Sequence, residues 1–114
     1  MTAGRHTLNI EQGTYWSISL VYKDPQKVPY DLTGYSARLQ FSPYVGALDG
    51  LLALTTEDGD ITLGTTDGTI LVEASGEQTA LLSQDSVYEL ELIAPNGEAE
   101  RILRGRVILG CEVV

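Results

Sequence analysis

The chain has 114 residues, with 16 Asp and Glu against 7 Lys and Arg and a net charge of -9. At this length a single domain is the economical arrangement, with a core large enough to hold without a disulfide or a metal. The acidic balance opposes a phosphate backbone, so nucleic acid is excluded as an expected partner, and no segment approaches the roughly 20 apolar residues that span a bilayer.

The opening residues, MTAGRHTLNIEQG, hold no apolar run of about 7–15 residues behind a basic start, the pattern of a cleaved signal. The one cysteine, Cys111, cannot form an intrachain disulfide. Both features set the expectation of synthesis in a cytosol, with no membrane partner. Residues 1–8 are expected to form an N-terminal arm ahead of one domain over 9–114.

In TYWSISLVYK, Trp16, Ile18, Leu20 and Tyr22 fall on one face and Tyr15, Ser17, Ser19 and Val21 on the other, the period of a half-buried strand. Asp31 and Gly34 supply a turn. The next strand sets Tyr35, Ala37, Leu39 and Phe41 against Ser36, Arg38, Gln40 and Ser42. Its apolar face is expected to close the core against residues 88–92.

Shorter strands follow at LLALT (51–55), ITL (61–63) and TILVEA (69–74), separated by Asp-Gly turns. In SGEQTALLS (75–83), Ser75 and Gln78 have the spacing of a capping box, which predicts a short helical turn crossing between sheets. The last two runs flank Asn96-Gly97, a dipeptide that favours a two-residue type I′ turn. That turn would place Pro95 opposite Glu98, Leu90 opposite Leu103 and Glu89 opposite Arg104. About seven or eight short strands with almost no helix predict an all-β, antiparallel, immunoglobulin-like sandwich.

Catalytic chemistry has little to work with. The lone histidine, His6, and the lone Cys111 lie at opposite ends of the sequence, and no spacing argument joins them. Glu57, Asp58, Asp60 and Asp67 gather carboxylates that calcium would accept, but their spacing matches no EF-hand loop and Asp-Gly is ordinary turn chemistry. No glycine-rich loop precedes a helix to cradle a phosphate, and no cofactor is expected. Arg101, Arg104 and Arg106 form the basic cluster of an acidic chain. They suit either cross-strand pairs with Glu89 and Glu91 or a carboxylate-rich neighbouring subunit. Tyr30 and Tyr44, in loop positions, are the tyrosines expected to face a partner.

NIEQGTYWSISLVYKD (9–24), DLTGYSARLQFSP (31–43), LLALTTEDGDITLGTTDGTILVEAS (51–75) and SVYELELIAPNGEAERILRGRVIL (86–109) resemble small phage proteins related to the N-terminal domain of phage baseplate upper proteins. The most specific pieces are Asp-Leu-Thr-Gly-Tyr at 31–35 and Tyr-Glu-Leu-Glu-Leu at 88–92, before a Pro-Asn-Gly turn. Neither is a catalytic signature. The resemblance implies an immunoglobulin-like virion component of a tailed bacteriophage, made in the host bacterial cytoplasm. Its partners would be other phage structural proteins and copies of itself. Baseplate upper proteins continue into a long helical or fibrous part, so the expectation here is a small tail or baseplate adaptor, with a head decoration protein as the alternative. A carbohydrate- or peptide-binding module is a further reading, using Tyr15, Trp16 and Tyr44 as its aromatic face.

Overall fold

A computed structural model describes residues 4–44, 50–82 and 85–110. The strands in chain order are β1 (Gly4–Arg5), β2 (Leu8–Glu11), β3 (Trp16–Val21), β4 (Ser36–Ser42), β5 (Leu52–Thr55), β6 (Ile61–Leu63), β7 (Thr69–Ala74), β8 (Ser86–Ile93) and β9 (Ala99–Gly110). One helical turn, α1 (Gly76–Thr79), separates β7 from β8. The larger sheet runs β5-β4-β8-β9, with β1 and β2 both parallel to β9 along its remaining side, and the smaller runs β3-β7-β6. Two layers, with the last hairpin central to one and the N-terminal strands parallel to the final strand, make an immunoglobulin-like sandwich.

Alternation fills the space between the layers. Ala37, Leu39 and Phe41 of β4, Tyr88, Leu90 and Leu92 of β8, and Ile70, Val72 and Ala74 of β7 are all 2% exposed or less. Each large side chain so buried contributes roughly 1.5–3 kcal/mol relative to exposure. Trp16 crosses the gap between layers and meets Phe41 edge to face, with ring centroids 6.5 Å apart, while its neighbour Tyr15 points to solvent. Residues 88–92 are not the facing wall for β4. Leu39 lies beside Leu90, and Phe41 beside Tyr88, in the same sheet; β4 closes instead against the smaller sheet.

The capping box is complete. Ser75 Oγ accepts the Gln78 N–H at 3.1 Å, and Gln78 Oε1 accepts the Ser75 N–H at 2.8 Å. Thr79, fully buried, donates its hydroxyl to the Thr14 carbonyl at 2.7 Å, which pins the turn beneath the start of β3.

The last hairpin keeps the expected pairs Leu90–Leu103 and Glu89–Arg104 but reaches them differently. Its loop is not a two-residue type I′ turn. Gly97 is left-handed at φ 91° and Asn96 is not, because Lys27 alone among the described non-glycine residues has positive φ. Pro95, held near φ −65° by its ring, suits the second position of a type I turn. The Gly97 N–H donates to the Ala94 carbonyl and Asn96 Oδ1 accepts the Glu98 N–H, leaving a three-residue loop closed by Ala94 and Glu98.

Pairing then runs Ile93–Ala99, Leu92–Glu100 and Glu91–Arg101, with a shift between Leu90 and Glu91 that leaves Ile102 as the extra residue. The sequence requires this bulge. An unbroken ladder from Leu90–Leu103 would set Arg101 beside the buried Leu92, whereas one inserted residue returns it to the outer face.

The N-terminal segment differs from the expected free arm. Gly4–Arg5 and Leu8–Glu11 pair with Leu103–Arg104 and Val107–Gly110 in one continuous parallel register, and Leu8 is 4% exposed. The long β9 leaves one side open to backbone hydrogen bonding, and this segment covers it.

Candidate interaction site

The outer face of the larger sheet carries the basic cluster, rearranged. Even-numbered β8 residues are buried, which turns Val87, Glu89, Glu91 and Ile93 outward. Beside them stand Arg38 and Gln40 of β4 and Arg104, Arg106 and Ile108 of β9. The parallel pairing of β1 brings Arg5 directly alongside Arg104.

Charge on this face divides into two zones. Near the hairpin, Arg101 Nε lies 2.9 Å from Glu89 and Arg38 lies 3.8 Å from Glu91. Glu89 thus turns diagonally to Arg101, although Arg104 is its register partner. Farther along β9, Arg5, Arg104 and Arg106 have no carboxylate within ion-pair distance among the described residues. With Val87 and Glu89 they border an open groove of about 280 Å³.

The floor of the groove is tightly built. A side chain at Gly105 would collide with the His6 carbonyl, so only glycine lets the N-terminal segment pass so close to β9. The His6 N–H donates to the Arg104 carbonyl at 3.1 Å, and the Tyr88 hydroxyl donates to the His6 carbonyl at 2.6 Å. Burial pushes the Tyr88 hydroxyl up to about 12, which keeps it a donor across ordinary pH.

The candidate arginines therefore separate. Arg101 is engaged within its own hairpin, while Arg104 and Arg106 join Arg5, a residue that sequence reasoning missed. No local pattern around Gly4–Arg5 signals a strand, and its partner is almost the full chain away.

Tyr30 is half-buried and stacked on Tyr22, with centroids 4.5 Å apart, and it packs against the core. Tyr22 in turn donates to Glu100 at 3.2 Å, tying the 22–30 loop to the start of β9. Burial, reinforced by the Glu100 charge, pushes the Tyr22 hydroxyl well above its ordinary range. Tyr44 is open, at 64% exposed.

Of the four carboxylates in the acidic turns, Asp60 and Asp67 are held by neighbouring side chains, and Glu57 and Asp58 stay exposed. Asp67 accepts both the Thr69 hydroxyl and its N–H, holding its carboxyl below the usual range, and Asp60 accepts the Gln78 amide. Among the described residues no three His, Cys, Asp or Glu side chains gather into a cation site. Cys111 lies outside the described residues. The aromatic face of Tyr15 and Trp16 does not form, since Trp16 packs inward and the Tyr15 hydroxyl donates to Glu73 at 2.6 Å. No described helix is long and apolar enough to cross a membrane.

The sequence matches no family model and no curated protein. Among the solved structures similar to it is the extracellular domain of the voltage-gated sodium channel beta4 subunit, reported as parallel homodimers. The likeness has a TM-score of 0.47 at 10% identity and covers 99% of this chain and 97% of that one.

Proposed function

We propose that this protein is a structural component of a tailed-phage particle, a small tail or baseplate adaptor that joins other parts by protein–protein contact. The observation that carries the attachment role is the groove edged by Arg5, Arg104 and Arg106, a concentrated positive surface on a chain of net charge -9. The resemblance of the four sequence segments to phage baseplate upper proteins supports the particle as the setting. Repeated copies in a symmetric assembly would let individually modest contacts hold, because later contacts form within an already tethered body.

Mass spectrometry of purified phage particles tests this reading, and the chain is expected at a stoichiometry set by tail symmetry. Its absence from the particle would contradict the proposal, and location on the capsid would replace the adaptor role with head decoration.

A further inference from the structure

Arg5 and Arg104 are register partners on adjacent parallel strands, and Arg106 follows two residues along the same face. Like charges set side by side in a sheet repel. Three of the 7 Lys and Arg residues thus stand together with no carboxylate partner among the described residues. The groove between them has a half-buried apolar flank in Val87. An anionic partner would relieve the repulsion and gain charge-assisted hydrogen bonds from guanidinium groups suited to carboxylates.

The chain also carries a surface complementary to the groove. The β5–β6 turn, which crosses from the larger sheet to the smaller, presents Glu57 and Asp58, both exposed. Gly59 at its tip has φ 82° and nothing within 4 Å of where a side chain would begin, so the turn projects into open space. Neither acid has a basic partner among the described residues.

We infer that the Arg5/Arg104/Arg106 groove of one copy takes the Glu57-Asp58 turn of a second copy. Groove and turn are different surfaces, so the contact is heterologous and propagates into a ring or a stack instead of ending at a pair. Long-range repulsion between two acidic bodies opposes it, and the facing charges must win at short range. It rests on the attachment role proposed above and names one partner surface for it.

Sedimentation equilibrium of the purified chain at low ionic strength tests the contact. The wild type is expected to gain mass with concentration and to lose the gain in about 0.5 M salt, where screening is nearly complete. R5E/R106E, which leaves Arg104 between two carboxylates, and E57R/D58R should each weaken association about tenfold or more. Mixed together, these two variants should associate again, because the unaltered turn of the first meets the unaltered groove of the second, and the acidic groove of the first meets the basic turn of the second.

Thermal melting of each variant confirms that it is folded. A wild type that stays monomeric, a groove variant that associates as the wild type does, or a folded mixture that fails to associate would each overturn the contact. Mass spectrometry of particles judges the virion assignment independently of that result.

Discussion

Two zones of one sheet face, built from the same pair of strands, reach opposite electrostatic outcomes. Toward the hairpin, β9 lies between β8 and solvent, and Arg101 and Arg38 are met by Glu89 and Glu91. Beyond the bulge, β9 is covered on its other side by β1 and β2, and what arrives there is another arginine, Arg5. The hairpin zone is satisfied internally; the groove zone has its charge left over. Pairing across the antiparallel ladders β4–β8 and β8–β9 neutralises charge, whereas the parallel contact of β1 with β9 concentrates it.

The largest effect should come from breaking the register that divides the zones. Deleting Ile102 would only make the ladder continuous, with Leu103 still opposite Leu90 and Arg101 opposite Glu91. Inserting an alanine between Ile102 and Leu103 instead forces a wider bulge or a one-residue slip that carries Leu103 outward and Arg104 inward beside the buried Tyr88. Urea unfolding of the insertion variant should show a loss of at least ~3 kcal/mol. A loss below about 1 kcal/mol would mean that the register beyond the bulge is not fixed by it.

Gly105→Ala acts on the groove zone alone. The new methyl meets the His6 carbonyl and should cost about 1–3 kcal/mol. Hydrogen exchange should speed up at Leu8–Glu11 while β7 keeps its protection. Uniform loss of protection would mean that the two zones do not come apart.

A smaller effect, about 1 kcal/mol, is expected for Tyr88→Phe, which removes the tether to His6. The same change sharpens the comparison at high pH. The Tyr88 hydroxyl sits at about 12 in the folded protein against an ordinary 10.0, so the unfolded chain gives up the proton first. Its contribution is complete below pH about 10 and is lost as pH rises toward 12. Melting of the variant should therefore depend less steeply on pH across that window. An identical slope would dissociate Tyr88 from alkaline unfolding.

The hairpin zone was largely legible in the sequence and the groove was not. Alternation in Trp16–Val21, Ser36–Ser42, Thr69–Ala74 and Ser86–Ile93 marked core faces because a strand's period is fixed by its backbone. The capping box marked α1 because Ser75 and Gln78 act within one turn. At 95–97 the Asn-Gly dipeptide points to a two-residue turn, but Pro95 beside it decides the turn type. Arg101 outside and Leu103 inside already implied an inserted residue, since one unbroken strand puts both on the same face. The parallel docking of β1 and β2 left no such trace. Gly4–Arg5 is too short for a period, and its cause is the open side of β9 and the absence of a side chain at Gly105.

Charge reversal in the two zones tests the central claim most directly. Arg5→Glu should leave thermal stability unchanged or raise it by up to about 1 kcal/mol, since it replaces a repulsion beside Arg104 with an attraction. Arg101→Glu should lower stability by a similar amount, since it sets a second carboxylate against Glu89. Melting temperatures that move in these different directions support a face divided into satisfied and unsatisfied zones. Equal destabilisation by both reversals would contradict it.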